Sequence, residues 1–519
     1  EKELELHKIA IPLKVPESGI HLRKIWVVKN ILKEANGHSL IYCNRPSECR
    51  SVASGVAEFN QATPSKELMD AIEFIKAQVH PDYYLVDHLQ NGIGYHYGRM
   101  PQFVRTCVKN LFENRKIDFL CCTSTLLEGV NLPARNIVLY KPKSGHISHM
   151  DKSSILNLAG RAGRLLKDYY GNIYCIDFDK WQSEKDVFDG EPDIVKSAVE
   201  KTLTKDTDLL IEHLREYQPQ ERGKKSIETI ATSLIIRQLR DPTGRFMQNL
   251  TERCHTVPPE KMAKISKLLQ IIAENINDLK DIVLKNRSLD ARLQFNLYKA
   301  LQQTGTLELP LNPSNSSAEP LLYDNLKKIF EYISTYLLPE KVAPDKKRPR
   351  SYLYYAFVAK YWLLQSSYKR ILENKISHTS RTQNVPITKT FVNDMIDDLD
   401  EILETDIKYE YSRCLQCYCD ILAKVMKERG DKRPFCEELS TYLEAGASDH
   451  RIFLLLSAGL SRNSAISIYE RIDPNIKDIS TCIDWLRSNQ VLVRSELHPI
   501  MHEEFDAIIG EKSADSRPS

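Results

Sequence analysis

The sequence predicts an α/β lobe with a parallel sheet over residues 1–185, followed by mostly α-helical domains. Two observations predict the lobe. Its apolar residues come in short uninterrupted runs, and segments with helical periodicity alternate with those runs. A third observation ends it: after about residue 185 helical periodicity dominates and strand-like runs are hard to find.

Taken in order, Ser39 to Asn44 reads as a buried strand, and Pro46 to Phe59 as a helix with a proline suited to its first turn. Gly92 to Tyr97 is a second strand. Pro101 to Asn114 is a helix with Phe103, Val104, Val108, Leu111 and Phe112 on one side. Ile117 to Cys122, Asn136 to Tyr140 and Asn172 to Ile176 supply three more strands, and Ser153 to Leu166 a helix. In such a sheet, ligands sit on the loops beyond the strand carboxyl ends.

The helical part divides by composition. Residues 186–310 read as a winged-helix-like or helical domain, 320–435 as a helical bundle, 436–510 as a helix-hairpin-helix-like domain and 511–519 as a disordered tail. Pro310 to Pro320 reads as a loop. Pro339 to Arg350 is a second break whose basic cluster (Lys346, Lys347, Arg348, Arg350) reads as a solvated linker ahead of a nucleic-acid patch.

The bulk numbers fit a globular chain. Of 519 residues, 42% are hydrophobic and 27% charged, and the net charge of +2 does not mark a nucleic-acid binder. No apolar run reaches about 18 residues, so no membrane partner is expected. The 12 cysteines follow no framework and no leader pattern precedes them, so a reducing cytosol (or a nucleus, if eukaryotic) is expected. Within the Cys414 to Cys419 run, free thiols on a helix are expected rather than a metal site, because no second close ligand pair follows.

Three segments of the first region carry candidate chemistry: Tyr95 to Pro101, Thr123 to Ala134 and Asn157 to Arg164. Arg161 and Arg164 are three residues apart and share a helical face, with Gly160 and Gly163 beside them. Two guanidinium groups without an adjacent carboxylate suit a polyphosphate. Thr123, Ser124 and Thr125 open a turn after a strand and can donate to phosphate oxygens. Each segment alone reads equally as an ordinary surface helix or capped loop.

Together, in this order and spacing, the three resemble motifs IVa, V and VI of the Ski-like branch of DExH superfamily two helicases. The resemblance covers roughly residues 20–180. It implies that Arg161 and Arg164 are arginine fingers reaching the γ-phosphate of ATP. It also implies that Gly129, Asn131, Asn157 and Gly160 line the nucleotide, and that Thr123, Ser124, Gly98 and Arg99 lie along the tracked strand. Asn157 departs from the family's glutamine by one methylene, which puts that contact in doubt. His96 fits a family position, yet a histidine on a strand reads as readily as a packed core residue. Between the last two motifs, Tyr140 to His149 reads either as a strand-separating hairpin turning at Gly145, with Tyr140 or His146 stacking on a base, or as a plain surface loop.

The implied activity is ATP-driven translocation along a single strand and duplex unwinding of DNA or RNA. The cofactors would be ATP and Mg2+. No Gly-x-x-x-x-Gly-Lys-Ser/Thr loop and no Asp-Glu-x-His or Asp-Glu-x-Asp occurs in the chain, and Gly223 to Ser226 is only a near miss. A first RecA-like lobe, in the same full-length protein or on a separate chain, is therefore the expected partner and the expected home of the metal ligands. The chain alone is expected to be inactive. It begins at Glu1 without a methionine, which reads as a fragment or a processed product. The rival reading is a non-catalytic nucleic-acid-binding or scaffold module that regulates an effector protein. Near the end, turns at Ala445 to Ser448 and Ala458 to Arg462 resemble helix-hairpin-helix elements. Arg462 is then a candidate phosphate contact, and a tight packing turn is the competing reading.

Overall fold

The computed structural model describes residues 28, 31–32, 38–58, 60, 63–124, 134–140, 143–144, 148–149, 155, 157–158, 162, 171–176, 197–217, 225–339 and 352–510. The chain divides into two compact units. One holds residues 1–192, 375–397 and 498–503, and the other residues 193–374, 398–497 and 504–519.

The first unit is built on a sheet of five parallel strands: β1 (Ser39–Tyr42), β2 (Ile93–His96), β3 (Phe119–Cys122), β4 (Asn136–Tyr140) and, last in the chain, β7 (Asn172–Ile176). Their order is β2-β3-β1-β4-β7. Pairing is in one continuous register, with Ser39 opposite both Phe119 and Asn136, and Ile93 opposite Phe119. All residues of β1, β2 and β3 are buried, as expected of strands covered on both faces. The five expected strands are thus present, within two residues at either end. A short antiparallel pair, β5 (Lys143–Ser144) with β6 (Ser148–His149), stands where the hairpin was expected. Gly145 and His146 lie outside the described residues.

Helices α1 (Pro46–Ala57), α2 (Lys66–Gln78), α3 (Tyr84–Gln90) and α4 (Gln102–Glu113) accompany the sheet. Pro46 occupies the first turn of α1, where its missing N–H is no loss. Sequence periodicity did not set α2 and α3 apart. Ser65 caps α2 by accepting from the Leu68 N–H at 3.2 Å, and Leu68, Ala71, Ile72 and Ile75 form its buried face. α4 buries all five apolar residues expected on one side, together with Cys107. It comes so close to the sheet at Gly94 that a Cβ there would lie 2.9 Å from Val108 and 2.7 Å from Ile117. Of the expected helix at 153–166, Ile155, Asn157 and Leu158 are described and helical, with Ile155 and Leu158 buried and Asn157 exposed.

Residues 375–397 join this unit from far along the chain. They comprise the end of the helix Tyr368–Gln383, a turn with Asn384 in the left-handed region (φ 50°) and the start of the helix Lys389–Glu401. Val392 and Ile396 are fully buried. The Asn393 amide donates to the Asp82 carbonyl at 2.8 Å and accepts from the Tyr84 N–H at 2.9 Å, and Lys389 pairs with Asp87 at 2.6 Å.

The second unit is helical throughout its described residues. The stretches 197–217 and 225–310 contain no strand among the described residues. Pro310 to Ala318 is irregular before the helix Glu319–Tyr336. The helices Glu319–Tyr336, Tyr352–Leu363 and Ser412–Arg429 bury Phe330, Tyr355, Trp362, Tyr411 and Tyr418 in one core region. The rings of the 352–362 stretch thus serve partly as core. A π-helical segment, Ile402–Tyr411, leads into the helix Ser412–Arg429. Cys414, Cys417 and Cys419 are buried and in no disulfide, and burial pushes the Cys417 and Cys419 thiols well up. No helix among the described residues is long and apolar enough to cross a membrane. The basic cluster at Lys346 to Arg350 lies outside the described residues.

Candidate functional site at the carboxyl edge of the sheet

Parallel strands present their carboxyl ends along one edge, and chain order decides which loops meet there. Tyr42, Cys122 and His96 are register partners at the last positions of β1, β3 and β2. The loops that follow open side by side. The Thr123 N–H donates to the His96 carbonyl at 3.3 Å, which fastens the start of the Thr123–Ala134 segment to the Tyr95–Pro101 segment. The Cys43 N–H donates to the Cys122 carbonyl at 2.7 Å and holds the loop after β1 beside them.

Thr123 is buried, Ser124 and Gly98 are half-buried and Arg99 is exposed at this edge. The third segment arrives through the backbone: Ala134, at the end of the second segment and almost fully buried, forms an isolated parallel bridge with Ala162. Ala162 lies between Arg161 and Arg164 in sequence, so this bridge brings the second and third segments together. The first two expected segments thus open side by side at this edge, whereas Ala134 lies two residues ahead of β4, at the amino end of that strand, so the bridge joins the third segment to the returning end of the second. Arg161, Arg164, Gly160, Gly129 and Asn131 lie outside the described residues. Asn157 is on the exposed side of its helical stretch. Tyr140 closes β4.

His96 is a core residue here. It is 6% exposed, loss of solvent lowers its pKa to about 4, and its Nδ1 has no hydrogen-bond partner among the described residues. His88 on α3 is similar, lowered to about 4 by burial, with its Nε2 2.9 Å from the Ser54 hydroxyl. Neither imidazole is poised to carry charge near neutral pH.

Two residues at this edge escaped the sequence reading. Tyr97, just past β2, donates to the Asp397 carboxylate at 3.3 Å, and Arg50 on α1 forms an ion pair with the same carboxylate. The signal that could have found them is weak: an apolar Val392–Ile396 face interleaved with Asn393 and Asp397 marks a helix with a polar partner, but not which one.

Arg462 requires a correction. It stands at the start of the helix Arg462–Ile468, as the expected hairpin element requires, but its guanidinium turns inward. Nε donates to the Gly446 carbonyl at 2.8 Å, and Nη2 to the Ser366 and Trp362 carbonyls at 3.0 and 3.3 Å. The guanidinium carbon lies 3.7 Å from the centroid of the Trp362 ring, and burial lowers its pKa below the usual guanidinium range. Donors committed to three carbonyls are not offered to a phosphate, so the packing-turn reading describes Arg462. Gly446, at φ +69°, completes the arrangement, since a Cβ there would collide with the same Trp362 ring.

Residues 23–165 match the model of the helicase conserved C-terminal domain. Over 139 residues the chain is 33% identical to anti-bacteriophage protein B of Escherichia coli (strain K12), covering 27% of this chain and 19% of that protein. It is 31% identical over 146 residues to the ATP-dependent DNA helicase Hel308 of Thermoplasma volcanium, covering 26% and 21%. It is 28% identical over 151 residues to the ATP-dependent DNA helicase homolog MER3 of Arabidopsis thaliana, covering 27% and 13%. The matched stretch spans about a fifth or less of the length of these relatives.

Proposed function

We propose that this chain, whose residues 23–165 match the helicase conserved C-terminal domain, is the C-terminal part of an ATP-dependent nucleic-acid helicase of the Ski-like DExH type. Its domains would be a second RecA-like lobe over 1–185, a winged-helix-like or helical domain over 186–310, a helical bundle over 320–435 and a helix-hairpin-helix-like domain over 436–510. The observation that supports it best is the Ala134–Ala162 bridge, which brings the segment beginning at Thr123 against the one bearing Arg161 and Arg164.

In this reading a partner lobe, in the same protein or on another chain, cradles ATP and its Mg2+. ATP, when bound, supplies the hydrolysis free energy. The residues of this chain do the rest. Arg161 and Arg164 face the γ-phosphate across the cleft and stabilise developing charge, an effect worth about 10³–10⁵ in rate for such fingers. Gly129, Asn131, Asn157 and Gly160 orient the nucleotide. Thr123 and Ser124, with Gly98 and Arg99, hold the backbone of a single strand of DNA or RNA, and the β5–β6 hairpin with Tyr140 and His146 parts the duplex. Among the described residues no three His, Cys, Asp or Glu side chains converge, so no Mg2+ ligand is assigned to them.

The experiment is Arg161→Ala with Arg164→Ala in the complete two-lobe assembly. The motor reading expects loss of ATP-dependent unwinding with nucleic-acid binding retained. Unchanged ATP hydrolysis would favour a scaffold that regulates an effector protein instead.

A further inference from the structure

The second unit contains a cavity of about 500 Å³, within the usual range for small-molecule sites. Its wall is formed by the helix Lys225–Arg240, the turn around Arg287 and Ser288, Leu337 with Leu338, and the end of the π-helical segment. Four arginines line it: Arg237, Arg240, Arg287 and Arg413.

Three carboxylates also line the cavity, and none of them is free. Glu410 receives Arg413 at 2.5 Å, while Arg413 also donates to the Ser288 carbonyl at 3.0 Å. Asp290 receives Arg292 at 2.7 Å and caps its own helix through the Arg292 N–H at 2.9 Å. That leaves Arg237, Arg240 and Arg287, with Glu228 the remaining carboxylate on the wall. None of these three arginines has an ion pair or hydrogen bond among the described residues, and all three are exposed.

Arg237 and Arg240 are three residues apart on one helix and share a face. Like charges so placed repel, and a third guanidinium on the same cavity adds to the repulsion. An anion removes it. Tyr409 contributes a different element. It is 58% exposed, projects from the π-helical segment and lines the same cavity, with the Arg413 guanidinium 5.2 Å from its ring centroid. A π-helical interruption often marks a functional position, and an exposed ring on a cavity that also presents unpaired guanidiniums suits a ligand that is flat at one end and anionic at the other.

We propose that this cavity binds a nucleoside phosphate, with Arg237, Arg240 and Arg287 on the phosphate and Tyr409 stacked on the base. The ligand is either a free mononucleotide or one nucleotide of a single strand. The assignment uses neither Arg161 nor Arg164 and stands apart from the motor reading.

The test uses the full chain, with AMP and a 12-nucleotide deoxyadenylate strand as probes, titrated by calorimetry at several salt concentrations. The variants are R237Q/R240Q and Y409A, with circular dichroism confirming that each is folded. A free-nucleotide site predicts that R237Q/R240Q and Y409A each weaken AMP at least about tenfold. A strand site predicts no AMP binding, weaker oligonucleotide binding in both variants, and a salt slope reduced by about 1.4 in R237Q/R240Q. Unchanged affinity for both probes in R237Q/R240Q overturns the proposal. So does a loss in R237Q/R240Q that Y409A does not share, because the base would then make no contact.

Discussion

Arg50 and Asp397 lie 347 positions apart in the chain and form an ion pair within the sheet unit. The pair is more than half withdrawn from water, and Tyr97 adds a second donor to the same carboxylate. Loss of solvent raises the Asp397 carboxyl above its usual range, against the pull of Arg50. Asp397 in turn outweighs burial at Arg50 and holds its guanidinium firmly protonated. This pair, with Asn393 and Lys389, fastens residues 375–397 beside α1 and α3.

Replacing Arg50 with alanine strands a part-buried carboxylate. We expect a loss of about 1–3 kcal/mol, below the range for fully buried pairs because both partners keep some solvent. Urea denaturation measures it, and amide exchange at Asp82 to Tyr84 should quicken. The double variant R50L/D397L should recover most of the loss, since neither charge then remains alone. If the double variant is as unstable as the single one, the pair is not what holds the segment.

Gly94 permits the close approach of α4 to β2. A valine there meets Val108 and Ile117 at distances that side chains do not adopt without moving. Gly94→Val should cost about 1–3 kcal/mol through overpacking, read as a lowered Tm. Trimming the opposing side chain with Val108→Ala should relieve part of it. A Gly94→Val protein of wild-type stability would contradict the packing described here.

His88 and His96 make the sheet unit sensitive to acid. Both are held near pH 4 by burial, against about 6.5 in an unfolded chain. Between those values the unfolded chain binds protons that the folded one refuses. Stability is therefore complete above about pH 6.5 and falls as the pH drops toward 4. The loss should be about 2 kcal/mol per histidine at pH 5. Comparing urea midpoints at pH 7.5 and 5.0 for wild type and H88Q/H96Q checks it. The double variant should show the smaller drop.

Arg462 should behave as a structural residue. Arg462→Ala removes the donors to the Gly446, Ser366 and Trp362 carbonyls and the guanidinium over Trp362. We expect a loss of about 2–4 kcal/mol and a change in tryptophan emission. The slope of nucleic-acid affinity against salt should stay unchanged. A slope reduced by about one contact in a folded Arg462→Gln protein would restore the phosphate role.

The sequence determined the parts of this protein that depend on neighbours within one strand or one helix turn. The runs at Ser39, Gly92, Ile117, Asn136 and Asn172 are apolar on both faces, and only a covered parallel sheet satisfies such runs. The first two motif segments were legible for the same reason: each continues from a strand, so placing the strands placed their loops. For Tyr140 to His149 the sequence left a hairpin and a plain loop equally open, and the β5–β6 pair is what forms there. α2 and α3 were missed although Ser65 before α2 and Pro81 between the two helices mark their boundaries.

Tertiary structure alone decided what depends on distant partners. Turn spacing put Arg462 at a helix start, but the Trp362 ring and the Ser366 carbonyl, about a hundred residues earlier, turned its side chain inward. Asp397 gains its meaning from Arg50, and Arg237, Arg240 and Arg287 share a cavity only once the helix Lys225–Arg240 packs beside the turn at Arg287. A side chain's direction is set by whichever surface excludes water around it, and local periodicity reports that a face is covered without reporting by what.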